Sequence, residues 1–201
     1  MTIPERRRYS SPVRSARARQ TRAHVVATAG RLFAERGYAG TSMRQIAAAA
    51  EVSLETVTQT GRKADLLLAA FRDGFAGNPD AVDLDGLVGR STLEDLPELV
   101  ARLASGVRRS LPIWRAFTTA AMADPAVAAV RAELAVARRA EIKERLTQAG
   151  APASDRLADA IGLLTSHEAY DHLTGVCGWP HEDYVTWTAE AIRAQLAGGR
   201  L

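Results

Sequence analysis

The 201 residues include a single cysteine, Cys177, which excludes an intrachain disulfide and any zinc site built on several cysteines. Aromatic residues are scarce, at 5%, while alanine, leucine and arginine, all good helix formers, dominate. No segment alternates apolar and polar residues as a half-buried strand would. No stretch approaches the ~20 consecutive apolar residues that span a bilayer. Met1 runs straight into Arg6, Arg7 and Arg8 with no apolar stretch behind them, which does not fit a signal peptide. There is no glycine-rich phosphate loop and no recognisable nucleophile with its base. The expectation is a soluble, cytoplasmic, all-α protein without membrane partner, cofactor, metal or enzymatic activity.

What the chain does have is a 47% hydrophobic content, enough for a sizeable core, and an uneven charge. Residues 1–65 carry twelve Lys/Arg against five Asp/Glu, a balance of +7, and residues 66–201 a balance of −4. A basic first third on an acidic remainder suggests that one end meets a polyanion.

Apolar periodicity, caps and breakers divide the chain as follows. Residues 1–16 read as a disordered basic arm. A helix over 17–36 buries Val25, Val26, Ala29, Leu32 and Phe33 and ends at Gly37. Thr41 or Ser42 caps a short helix over 43–50, and Ser53 caps another over 54–60. A fourth helix runs over 63–76, and residues 77–90 read as a loop. Beyond it, helices are expected over 95–110, from Pro112 to Ala123, over 125–148 behind an Asp124 cap, over 154–176 behind a Ser154 cap, and over 181–196.

Two short helices joined by a tight turn within Thr41–Thr60 form a helix-turn-helix, whose second helix can enter the major groove. Ser53, Thr56, Thr58, Gln59 and Thr60 place short hydrogen-bonding groups on that helix, while Val57 faces the core. Gln59 can read an adenine edge at two points, and threonines can bond phosphate or pack on thymine methyls. Arg44 and Lys63 supply charge. On spacing alone the pattern also fits three small helices with polar surfaces; the basic arm upstream favours nucleic acid.

The stretches Leu32–Phe33–Ala34–Glu35–Arg36–Gly37–Tyr38, Thr41–Ser42–Met43–Arg44–Gln45–Ile46–Ala47 and Val52–Ser53–Leu54–Glu55–Thr56–Val57 closely resemble the TetR (tetracycline-repressor-like) transcriptional regulators. The resemblance covers about residues 18–70. It implies an N-terminal helix-turn-helix DNA-binding domain, here 17–62, and a C-terminal helical domain, here 63–201, that dimerises and holds a small-molecule effector. It further implies a repressor that sits as a homodimer on a palindromic, double-stranded DNA operator and leaves when the effector binds. The expected DNA contacts are Arg44, Ser53, Leu54, Glu55, Thr56, Thr58, Gln59, Thr60 and Lys63, with Gln59 and Glu55 as base readers. Three positions depart from the family pattern: Glu51 stands where glycine is usual, Thr58 where tyrosine is common, and the aromatic after Thr60 is missing. They keep open an alternative, a helical effector-binding or adaptor module with weakened operator binding.

In the C-terminal part, Leu103, Trp114, Phe117, Met122 and Tyr170 are candidates for an effector pocket. Leu157, Ile161 and Leu164, with Tyr184, Trp187 and Ala191, are candidates for a four-helix dimer interface. His167, Glu168, Asp171 and His172 form pairs four apart that face different ways, a poor metal site, and read as solvated or interface polar residues. Cys177 reads as structural.

Overall fold

The computed structural model describes residues 12–76 and 95–198, and within them every regular element is a helix. The basic arm and the 77–90 loop lie outside the described residues, apart from residues 12–16, which belong to the first helix. That helix, α1 (Pro12–Arg36), starts five residues earlier than expected, since no proline or glycine interrupts the chain between Pro12 and Gly30. It buries Val25, Val26, Ala29, Leu32 and Phe33, the face its periodicity marks. Gly37, with φ +71°, ends it by donating its N–H to Phe33 O at 2.9 Å. Then follow α2 (Met43–Ala49), α3 (Leu54–Thr60) and α4 (Lys63–Ala76).

α4 belongs to both halves of the molecule. On one side Gly30 of α1 lets it come close, since a Cβ at Gly30 would stand 3.0 Å from the Ala70 Cβ. On the other, Phe71 stacks on Phe117 at 5.4 Å and meets Trp114 at 5.2 Å. One hydrophobic core therefore runs unbroken from α1, α2 and α3 into the next helix. No loose linker separates the two halves at residue 62.

That next helix, α5 (Leu96–Ala123), corrects the expected break at Pro112: it is one helix with the proline inside. A mid-helix proline costs ~3 kcal/mol through its missing N–H and a clash one turn back. Here Val100, Ala104 and Val107 are buried before it and Ile113, Ala116, Phe117 and Ala120 after it, so packing on both sides holds the two turns in line. α6 (Pro125–Gln148) begins as expected behind Asp124, whose side chain accepts from Ala126 N at 3.0 Å. The expected single helix over 154–176 is interrupted. α7 (Asp155–Leu164) stops, Ser166 re-caps the chain by accepting from Ala169 N at 3.0 Å, and α8 (His167–Tyr170) runs on into a π-helical turn, Asp171–Val176. α9 (His181–Gly198) closes the bundle against α5 and α7. No helix among the described residues is long and apolar enough to cross a membrane.

Candidate nucleic-acid interface and ligand cavity

The helix-turn-helix is fixed by short-range bonds. Ser42 and Gln45 form a reciprocal capping box at the start of α2, with Gln45 N to Ser42 Oγ at 3.2 Å and Ser42 N to Gln45 Oε1 at 2.7 Å. Thr41, offered above as an alternative cap, is instead buried and donates to Leu32 O and Gly37 O, tying the turn to the end of α1. At the other end of α2, Glu51 N bonds Ala48 O and Val52 N bonds Ala47 O. This is the Schellman pattern, and it puts Glu51 at φ 53°, the left-handed backbone that glycine usually supplies. Ser53 then caps α3 by accepting from Thr56 N at 3.1 Å. Val57 is fully buried, so α3 rests on the core and turns its other faces outward.

Of the expected contacts, Arg44, Ser53, Leu54, Glu55, Thr58 and Gln59 are exposed, and Thr56 and Thr60 are half-buried. Leu54 keeps 41% of its surface. Gln59 Nε2 donates to Glu55 Oε1 at 3.2 Å, which orients the amide and leaves its oxygen and second N–H outward. The hydroxyls of Thr58 and Thr60 turn back to Leu54 O and Thr56 O, both at 2.9 Å. Lys63 is only half-exposed: its ammonium sits 4.2 Å from the centre of the Tyr38 ring, and burial pushes its pKa down. Sequence reading missed two arginines here. Arg22 of α1 donates to Thr60 O at 2.6 Å and caps the end of α3, and Arg62 pairs with Asp65, which also accepts from Arg62 N at 2.9 Å. Tyr38 joins this end to the body, donating to Asp124 Oδ2 at 3.1 Å; burial and the Asp124 carboxylate push its pKa up to about 12.

A cavity opens in the body, and most of the residues expected at an effector pocket lie away from it. A hollow of about 390 Å³ opens between the first turns of α5, the second half of α6, α7 and the end of α9. Of the five candidate pocket residues only Leu103 lines it. Phe117 is buried in the core beneath Phe71, and Trp114 stacks on His167 at 4.6 Å. Tyr170 packs edge-on against Tyr184 at 4.9 Å, and Met122, 83% exposed, faces solvent. The aromatics were drawn into close packing because flat rings fill gaps between helices. The hollow is bounded instead by branched aliphatics and three arginines, Arg138, Arg145 and Arg193.

Residues 25–70 match the family model of bacterial regulatory proteins of the tetR family. Those residues therefore form a tetR-type domain. The TetR-like architecture extends over the whole described chain. A transcriptional regulator from Rhodococcus sp. Rha1 superposes with a TM-score of 0.65 at 19% identity, covering 90% of this chain and 98% of that one. A TetR-family member from Streptomyces coelicolor A3 superposes with a TM-score of 0.57 at 22% identity, covering 86% and 98%. The multidrug binding protein EbrR, complexed with ethidium, gives 0.62 at 22% identity, covering 88% and 98%. No curated protein matches the chain significantly. Residues 25–70 thus carry the tetR-family helix-turn-helix, and the chain has a fold like that of TetR-family structures.

In this TetR-like fold, four of the six residues expected at a dimer interface are packed or bonded within the chain. Tyr184 is buried and donates to Leu164 O at 2.8 Å, Ile161 lines the cavity, and Leu157 and Leu164 pack in the aliphatic clusters beside it. Ala191 is half-buried and Trp187 keeps 39% of its surface, while Leu163 beside Leu164 keeps 64%. Of the acidic and histidine cluster, expected to be solvated or interface polar residues, Glu168 and His172 are exposed and Asp171 is half-exposed, but His167 departs from that expectation. His167 is buried, its Nε2 2.8 Å from Ser110 Oγ, and burial pulls its pKa down to about 4. Glu168 and Asp171 pair with Arg131 and Arg115. Among the described residues no three His, Cys, Asp or Glu side chains converge on a metal position. Cys177 is exposed rather than structural, with its Sγ 3.6 Å from His172 Nε2.

Proposed function

We propose that this regulator binds a palindromic operator as a homodimer, represses from it, and is released when a small molecule enters the cavity. The observation that carries the reading is the outward face of α3, with Ser53, Glu55 and Gln59 exposed on a helix whose opposite side is locked into the core by Val57. Arg44 and the N-terminal ends of α2 and α4 flank that face and suit phosphates. Gln59 is the principal base reader, because the bond to Glu55 leaves one donor and one acceptor for an adenine edge. Release is supported by the way α4 is clamped to α5 through Phe71 and Phe117, so that a change in the body must move the head. It is also supported by EbrR, a structural relative that binds ethidium.

A second reading, an effector-binding module with weakened operator affinity, is favoured by one feature. The end of α3 spends its polar groups internally: Thr58 and Thr60 on backbone carbonyls, Arg62 on Asp65, Lys63 on Tyr38. Fluorescence anisotropy with the chain's own upstream DNA, titrated with salt and against scrambled duplex, separates the two. A preference of about a thousandfold or more is expected for a specific regulator. Equal, steeply salt-dependent binding to both duplexes would overturn it in favour of the second reading.

A further inference from the structure

The cavity's apolar wall, formed by residues such as Leu99, Leu103, Ile142, Leu146 and Leu196, also carries three arginines, Arg138, Arg145 and Arg193, beside the Asp95 carboxylate. Arg138 is the informative one. Its Nη2 donates to Thr165 Oγ1 at 3.2 Å, and its Nη1 stands 3.7 Å from Glu141 Oε2. Glu141 is shared, since its other oxygen accepts from Arg145 at 2.9 and 3.3 Å. Two guanidinium groups thus divide one carboxylate. Protein surrounds Arg138 closely enough for burial to pull its pKa down, while the side chain keeps 31% of its surface, as a group lining a hollow does. A planar guanidinium in a low-dielectric site, with most of its five donors unused by strong partners, is matched by a carboxylate that can take two N–H bonds at once.

We propose that this cavity binds an amphipathic monoanion, a hydrocarbon body carrying one carboxylate, with the carboxylate on Arg138 and the hydrocarbon against the leucine and isoleucine wall. The inference rests on the reading of the cavity as the effector site and names the ligand class for it. A cation such as ethidium would meet like charge there. The same contact supplies a route to the head. Thr165, which Arg138 holds, directly precedes Ser166, the cap of α8, and His167 of α8 lies 5.8 Å, ring to ring, from Phe71 of α4.

The test is isothermal titration calorimetry of the full-length protein with three probes of equal chain length: dodecanoate, dodecanol and dodecyltrimethylammonium, each below its micelle concentration. Dodecanoate is expected to bind about tenfold or more tighter than dodecanol, the difference one charge-assisted bidentate contact makes, and the cation more weakly than the alcohol. Arg138→Gln should bring dodecanoate down to the level of dodecanol, Arg138→Lys should keep part of the preference, and Leu103→Trp should weaken all three probes by filling the hollow. Equal binding of dodecanoate and dodecanol to the unaltered protein, tighter binding of the cation, or no binding of any probe would overturn the proposal, whether or not the variants fold. Operator affinity measured alongside keeps the two readings apart. Dodecanoate that binds through Arg138 without changing operator affinity leaves the ligand class standing and overturns the role of the cavity in release.

Discussion

The head is shaped mainly by side-chain bonds of short reach, whereas the body adds bonds that span the chain to local ones of its own. In the head, Ser42, Ser53, Thr58 and Thr60 each bond the backbone within four residues, and Thr41 reaches no further than nine. In the body the informative bonds span the chain: Ser110 to His167, Arg115 to Asp171, Arg138 to Thr165, and Tyr38 of the head to Asp124. Local bonds set the conformation of a short segment before it meets anything else. Long-range bonds form only once the helices are stacked, so they record packing and cannot produce it. A change in the packed body should therefore shift the stability of the fold by more than a change at one local bond of the head.

The largest effect tests the body. Phe117→Ala removes a fully buried ring at the point where α4 meets α5, and about 3–5 kcal/mol of stability should be lost. Because the core is continuous through Phe71, denaturant unfolding should remain a single transition at a lower midpoint. A second transition, with the head surviving the body, would break the claim that the two halves share one core.

His167 comes next. Its pKa falls from the usual 6.5 to about 4 because burial disfavours the charged ring, with Arg138 adding to the shift and Glu168 opposing it. The folded state therefore holds fewer protons than the unfolded one. Stability from this group is complete above pH 6.5, declines as the pH falls from there, and is lost by about 4, a span of about 3 kcal/mol. His167→Phe keeps the stacking on Trp114 and has nothing to titrate, so melting temperatures measured between pH 7 and 5 should fall less steeply than in the unaltered protein. Parallel slopes for the two proteins would show that His167 is not the titrating group.

The same contrast explains what could be read from the sequence. The helix-turn-helix was legible to within a residue, because its determinants (Ser42, Ser53, Gly37, the buried Val57) act within a turn or two of themselves. The helix ends at Asp124 and Ser154 were legible for the same reason. The continuity of α5 through Pro112 was not, since it depends on what is packed on each side of the proline. Nor was the cavity. Trp114, Phe117 and Tyr170 looked like pocket residues because they are large and apolar, but Phe117 and Tyr170 are buried in the packed interior and Trp114 packs half-buried against Phe117 and His167. Arg138, whose burial matters most for the cavity, sits in a run of charged residues that reads as a solvated helix face.

In the head, Thr41→Val is isosteric and removes only a buried hydroxyl that bonds Leu32 O and Gly37 O. A loss of about 1–2 kcal/mol is expected, with no change in the pH dependence that His167 imposes on the body. Unchanged stability would mean that those carbonyls are satisfied by the helix alone, and the link between α1 and α2 would then rest on apolar packing.

The smallest effect is the sharpest test of local control. Glu51 occupies a left-handed backbone at φ 53°, where a side chain costs roughly 1–2 kcal/mol relative to glycine and where the unfolded glycine chain has more entropy to lose, by about 0.5–1 kcal/mol. The two terms oppose each other, so Glu51→Gly should stabilise the fold by about 0.5–1 kcal/mol. The Schellman bonds from residues 51 and 52 involve backbone atoms only and survive the change, so the angle between α2 and α3 is unaltered. Operator affinity should then stay the same while the melting temperature rises. If Glu51→Gly instead weakens operator binding at unchanged stability, the turn serves to hold α3 stiffly against DNA, and the strain at residue 51 belongs to recognition rather than to folding.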